Sequence, residues 1–196
     1  ISKVWPDGAD EITALAVHNG ILAIFGKRQI LLYTGANDPA TMQLADTIVG
    51  VGCIARDSVQ VTGTDLIFLS DSGLRSLKRT VQEKSAPMMD ISKNVRTELT
   101  NYIATETGNI FSVYSPEEAF YLLHLPTTNI TYCFDMRAPL QDGAHRSTQW
   151  DTIAPQAFCR ARNGNLLLGK PVGIAKYDGF TDNGSPYQMS YFTNYI

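Results

Sequence analysis

Charge is what this chain has least of. Only 18% of its 196 residues are charged, and 16 basic against 19 acidic side chains leave a formal charge of −3. No basic run is longer than the two residues of Lys27-Arg28. Wrapping a phosphate backbone takes many Lys and Arg contacts, so tight nucleic-acid binding has no electrostatic source here. Lining a channel through which nucleic acid slides without sticking is compatible with the same numbers. Cysteine is scarce too. Cys53, Cys133 and Cys159 are an odd set without C-x-x-C spacing, each inside an apolar strand candidate, and they read as buried free thiols rather than metal or redox groups. No apolar run approaches the length of a membrane span. Local motifs of catalysis are missing as well: no carboxylate pair, no Ser/His/Asp set and no metal-ligand cluster stands out, so no catalytic, cofactor or metal residue is named.

What the chain does have is short apolar runs broken by turn residues. Val51–Arg79 contains Val59/Val61, Leu66/Phe68 and Leu74/Leu77, separated by Thr62-Gly63 and Ser70-Asp71-Ser72-Gly73. Each run is too short for a globular helix and rich enough in Val, Ile and Phe for a strand. The segment is expected to be a three-stranded antiparallel meander. It recurs. Ala14–Tyr33 has Asn19-Gly20 at its first turn, a pair suited to the positive φ angles of a type I′ hairpin, and Gly26-Lys27-Arg28-Gln29 at its second. Gln156–Tyr177 has Asn163-Gly164, and Ile110–Asp135 repeats the pattern more weakly around Ser115-Pro116-Glu117-Glu118. Gln43–Ile48 and Gln149–Ile153 read as fourth, outer strands. Meanders near 12–48, 54–80, 109–153 and 155–195 make an all-β chain, a β-propeller or part of one, with four-stranded antiparallel blades.

The period changes once. Ile91, Val95, Leu99 and Ile103 recur every fourth residue, which predicts one inserted amphipathic helix over 90–105, with Asp90 as N-cap and Gly108 past its end. It is expected on a rim of the propeller or plugging a gap between blades. Ile12–His18 alternates poorly and is read as an inner strand buried on both faces. In Met136–Ser147, Asp142 and His145 stand close enough to face one another, but Arg146 and the flanking turns give no fixed geometry, so the stretch is read as a projecting loop that touches a neighbour.

Several residues invite chemistry and are weighed against blander roles. His18 sits beside a turn with no nucleophile or acid nearby in sequence and is read as a surface residue. Gly164–Lys170 has the spacing of a phosphate loop, but Pro171 replaces the hydroxyl residue and the interior is strand-like. Asp178 and Asp182-Asn183-Gly184-Ser185 read as Asx turns rather than a cation site. Trp5 and Trp150 would stack on sugars in a glycan-binding propeller, or else fill space between blades. Asp10, Asp65 and Asp71 are the acids at strand edges that a glycoside hydrolase would need. In a propeller such residues come from separate blades and leave no local motif.

Gly50–Leu77, with its run GCIARDSVQVTGTDLIFLSDSGLRSL, resembles a segment of tail proteins of tailed bacteriophages and prophages. These are similar to the packaged-DNA stabilisation and tail nozzle proteins of short-tailed phages, whose core is a β-propeller. Phe25–Tyr33 and the passage from Tyr177-Asp178-Gly179 through Pro186-Tyr187 fit the same pattern. The resemblance implies a virion tail component, assembled in the bacterial host cytoplasm, that forms a ring of subunits around the channel through which the genome leaves. Its implied partners are the portal and other tail proteins, and its implied roles are DNA stabilisation and ejection. It carries over no catalytic residue and no cofactor. Ile1 is no initiator, and Tyr187–Tyr195 is a strand candidate without a closing turn, so the chain is expected to be a piece of a longer one.

Overall fold

Turn chemistry sets the strand boundaries of this chain, beginning with Asn19 and Gly20. Both adopt positive φ, 51° and 74°, and fold β1 (Ile12–His18) back on β2 (Ile21–Gly26) with His18 opposite Ile21. The computed structural model describes residues 5–83, 90–179, 181 and 184–186. It is an all-β architecture of four antiparallel sheets with few helices. The first sheet runs β1, β2, β3 (Gln29–Thr34), β4 (Gln43–Val49) in chain order. The second is β5 (Gln60–Val61), β6 (Leu66–Ser70), β7 (Gly73–Ser76). The third is β8 (Phe111–Ser115), β9 (Phe120–Leu125), β10 (Ile130–Asp135), β11 (Ser147–Trp150). The fourth is β12 (Ala157–Arg160), β13 (Leu166–Lys170), β14 (Gly173–Lys176).

The sheets stack face to face in the order of the sequence. Strand β6 explains how. Every residue of Leu66–Ser70 is buried, and successive side chains point to opposite faces. Leu66 and Phe68 join Ala14, Phe25, Ile30 and Leu32 of the first sheet, with the Phe25 and Phe68 rings 5.0 Å apart. Ile67 and Leu69 join Tyr121, Leu123, Tyr132 and Phe134 of the third. Strand β9 divides its side chains in the same way, sending Phe120 and Leu122 to a third cluster with Leu166 of the fourth sheet and Phe158 against it. Both strands read as unbroken apolar runs because neither has a solvent face. Among the described residues, no core cluster joins the first sheet to the fourth.

The passage from the first sheet to the second is drawn tight. The Cys53 N–H donates to the Gly26 carbonyl at 2.8 Å, and a Cβ on Gly52 would collide with that carbonyl and with the backbone of Lys27. Only glycine lets the two backbones meet there. The same hairpin is tied from its other side by Asp10, whose carboxylate accepts the N–H groups of Lys27 and Arg28 at 3.0 and 2.9 Å.

Several expectations need correction. The second sheet has three strands, not four. Leu77, expected in a strand, opens a helix, α1 (Leu77–Glu83), where a fourth strand would follow. The fourth sheet shows three strands, and the expected partner Tyr187–Tyr195 lies outside the described residues. The inserted helical segment is shorter than predicted: a 3₁₀ turn at Lys93–Val95 and then α2 (Arg96–Thr105). Val95 rather than Asp90 stands at the N-cap of α2, and Asp90 instead pairs with Arg96 at 2.6 Å. Strand β1 is not buried on both faces: Leu15 and Val17 are 61% and 64% exposed. Cys53 is buried, but Cys133 is only partly covered and Cys159 is exposed. The 136–147 loop folds back on its own chain. Ala144 and His145 are buried, His145 N–H donates to Ile91 O at 3.0 Å, and Arg79 donates to Gly143 O at 2.8 Å. No helix among the described residues is long and apolar enough to cross a membrane.

Candidate functional site

The first strands of the last three sheets lie side by side, with β8 between β5 and β12. Asp57 bridges Phe111 in parallel fashion, and its carbonyl accepts both the N–H and the Oγ–H of Ser112, at 2.9 and 2.8 Å. Gln60 Nε2 donates to Ser112 O at 3.2 Å. A cleft of about 500 Å³ opens over these strands, lined by Gln60, Thr62, Ser112, Tyr114, Phe158 and Arg160. Its one cation faces a partner already. Arg160 and Glu117 meet at 2.5 Å, and the hydrogen bond from Arg160 holds the Glu117 carboxyl below the usual carboxylate range. The cleft therefore offers hydrogen-bonding amide and hydroxyl groups, two aromatic rings and little net charge.

A second cleft, about 160 Å³, is lined by Asp65, Arg79, Tyr114 and His145 among others. Its polar groups are engaged in structure. Asp65 accepts from the Leu66 and Lys78 N–H groups at 2.7 and 3.0 Å and from the Ser76 hydroxyl, fastening the start of α1. His145 Nδ1 lies 2.7 Å from Asp135 O, and burial lowers its pKa against the opposing pull of that bond. A neutral imidazole donating from Nδ1 fits this geometry.

The residues singled out in the sequence do not converge. Asp142 pairs with Lys93 at 2.9 Å rather than with His145. The His18 ring meets the Asn19 amide at an exposed turn, 3.0 Å away. Burial pushes the Asp10 carboxyl up, but the N–H groups of Arg28, Glu11 and Lys27 together outweigh it and leave the pKa lowered, the wrong direction for a general acid. Asp71 caps its own hairpin turn by accepting from Ser72 Oγ at 3.1 Å. Trp5 is buried. Trp150 lies flat on Tyr177 with ring centroids 5.8 Å apart, and Phe120 meets both rings edge-on. These aromatics join the third sheet to the fourth. Gly164–Lys170 runs into β13 as extended chain, and Lys170 Nζ donates to Ile153 O, so no phosphate nest forms. Asp178 pairs with Lys176 at 2.7 Å, while Asp182 and Asn183 lie outside the described residues. No group of three or more metal-ligating side chains occurs among the described residues.

Two buried polar features were not legible in the sequence. Arg75, 3% exposed, donates to Ser70 Oγ at 3.0 Å and Ser72 Oγ at 2.8 Å, and burial lowers its pKa while the Asp90 charge opposes that shift. Asp90 is itself buried, and Ser92 Oγ accepts the Leu74 N–H at 2.9 Å. The network pins the helical segment to the β6–β7 turn. Its members stand up to 26 residues apart, from Ser70 to Arg96, and no local pattern announces them. His124 is 2% exposed, meets Thr131 Oγ1 at 2.9 Å, and is pushed down to a pKa of about 4 by burial.

No protein-family model matches the chain, and no curated protein matches it. Among solved structures the chain is similar to the AfRom2 CNH domain, at 13% identity and a TM-score of 0.40. That alignment covers 85% of this chain and 48% of the other, so the chain spans about half its length.

Proposed function

We propose that the protein is a structural component of a bacteriophage tail, a propeller or part of one that helps form a ring around, or seals, the DNA exit channel. The observation that carries this reading is the place of the Gly50–Leu77 run. The stretch that resembles tail proteins supplies Cys53, Leu66, Phe68, Leu69 and Leu74, all buried, and builds the sheet wedged between its neighbours. Four consecutive sheets whose later first strands lie side by side suit propeller blades. The engaged carboxylates, the paired Arg160 and the charge of −3 suit a scaffold that works by shape and by weak contact with a polyanion. Its partners on this reading are the portal and other tail proteins.

The test is electron microscopy of the protein mixed with a portal, alongside a salt-dependent titration with duplex DNA. Ring formation or joining of the portal is expected, with DNA binding no tighter than about 1 µM at physiological salt, the nonspecific range. Tighter binding with a steep salt slope overturns it. A second reading, a carbohydrate- or receptor-recognising propeller, is favoured by the cleft lined by Tyr114, Phe158 and Gln60. Glycan binding by a protein that ignores the portal would replace the first reading with this one. Glycan cleavage would point instead to a glycoside hydrolase.

A further inference from the structure

Two Asn-Gly pairs sit at hairpin turns, and the fold treats them differently; a third, Asn183-Gly184, falls partly outside the described residues. At Asn163-Gly164 the groups that could react with each other are tied up. The Gly164 N–H donates to the Ala161 carbonyl at 3.0 Å, and Asn163 Oδ1 accepts the Asn165 N–H at 3.2 Å. A carboxylate oxygen of Glu117 lies 2.9 Å from where a Gly164 Cβ would stand, so this turn is also packed. The Asn19-Gly20 turn closes through His18 and Ile21, and among the described residues nothing accepts the Gly20 N–H. Asn19 and Gly20 are exposed, and a Cβ on Gly20 would meet nothing within 4 Å. The Asn19 carboxamide meets an imidazole, with Nδ2 3.0 Å from His18 Nε2.

We propose that Asn19 is a site of self-modification, deamidated through a succinimide that the Gly20 nitrogen forms. That nitrogen attacks Asn19 Cγ and gives up its proton to solvent, and the Cγ–Nδ2 bond breaks. The His18 imidazolium hands a proton to the departing amine, which leaves as ammonia. Water then opens the imide at either carbonyl, giving aspartate at one and isoaspartate at the other. The net change is a water consumed, an ammonia released and a negative charge gained, with no change of oxidation state. Attack needs the turn to open briefly, because positive φ at both residues holds it in the closed hairpin. Opening costs little there. Strand β1 has one buried residue, Ala14, whereas Ala23, Phe25, Ile30 and Ile48 hold the core of the first sheet from β2, β3 and β4. Isoaspartate puts Cβ into the main chain and lengthens a two-residue turn that sets the pairing of His18 with Ile21. The consequence is a loosened β1 on an otherwise intact sheet. The inference rests on the turn and not on the tail reading.

Peptide mapping by mass spectrometry, on the folded chain incubated in heavy-oxygen water, tests it. The tryptic peptide ending at Lys27 holds Asn19 as its sole asparagine, and the peptide beginning at Asn163 reports the other turn. Asn19 should convert about tenfold faster than Asn163, taking up the label and giving both acid isomers. Equal rates in the folded chain, or faster conversion at Asn163, overturn the proposal. In unfolding denaturant the two rates should converge. A gap that persists there would belong to the local sequence and would overturn the structural argument. His18→Gln should slow Asn19 severalfold and leave Asn163 unchanged, and an unaltered Asn19 rate removes His18 from the reaction. Hydrogen exchange then reads the consequence: amides of β1 should exchange faster in the aged chain than in the fresh one, while those of β6 keep their protection. Asn19→Asp carries the new charge without the extra backbone atom and should leave β1 as in the fresh chain. Equal loosening by Asn19→Asp would overturn isoaspartate as the cause.

Discussion

Strands β6 and β1 are both short and mostly apolar, and they live in opposite surroundings. LIFLS of β6 is buried at every position, whereas ITALAVH of β1 has one buried residue, Ala14. Both are apolar on two faces. Strand β6 has a sheet on each side, and β1 has a sheet on one side only. Composition therefore states that a face is fit for a partner, and position in the row decides whether the partner is present. The energetic worth of a side chain follows the second, not the first.

The comparison can be broken most severely at Phe68. Replacing it by Ala empties a site shared by the first two sheets and should cost about 3–5 kcal/mol in a denaturant titration. A cost below about 1 kcal/mol would show that the two sheets do not form one core. Next comes His124 in the equally buried β9. Its folded pKa of about 4 lies below the unfolded value near 6.5, so the folded state resists the proton that the unfolded state accepts. This stability is fully present above about pH 6.5 and is lost as pH falls toward 4, by up to about 3 kcal/mol. His124→Asn should flatten that slope in pH-dependent melts relative to wild type, and an unchanged slope would remove His124 from the account. The smallest effect belongs to β1. Leu15→Ala should shift the stability of the isolated monomer by no more than about 0.5 kcal/mol. A larger loss in dilute solution would mean that the outer face is covered within the monomer.

The sequence makes some of this plain and hides the rest for physical reasons. Asn19-Gly20 announces its hairpin because few residue pairs tolerate two positive φ angles in succession. The apolar run of β6 announces a strand covered on both sides. The same signal misleads at β1, where a face fit for burial is left open, since a strand's own residues do not record its neighbours. Leu74 and Leu77 stand three apart, a spacing that serves one helical face as well as a strand. The start of α1 is held by Asp65, 13 residues before the Lys78 N–H that it accepts. Asp90 looks like an N-cap in sequence, yet a buried carboxylate beside Arg96 gains more from that guanidinium than from a helix terminus. For the candidate site, the residue types were legible and their engagement was not. Asp10, Asp142 and Trp150 each have a partner fixed by the fold rather than by spacing.

The stacking of the sheets in chain order has a kinetic consequence. Among the described residues each sheet shares a core cluster with the sheet before it or after it in sequence, so neighbour-to-neighbour packing dominates, as in a repeat protein. Contacts between successive sheets need only the next stretch of chain, so folding can proceed sheet by sheet. Growth can start from the Phe25–Phe68 contact as soon as the first two sheets have left the ribosome, and each later sheet adds to a surface already formed. Opening runs in reverse from the two ends. Amides of β1 and β14 should exchange with solvent by local fraying, while those of β6 and β9 wait for the whole stack to come apart.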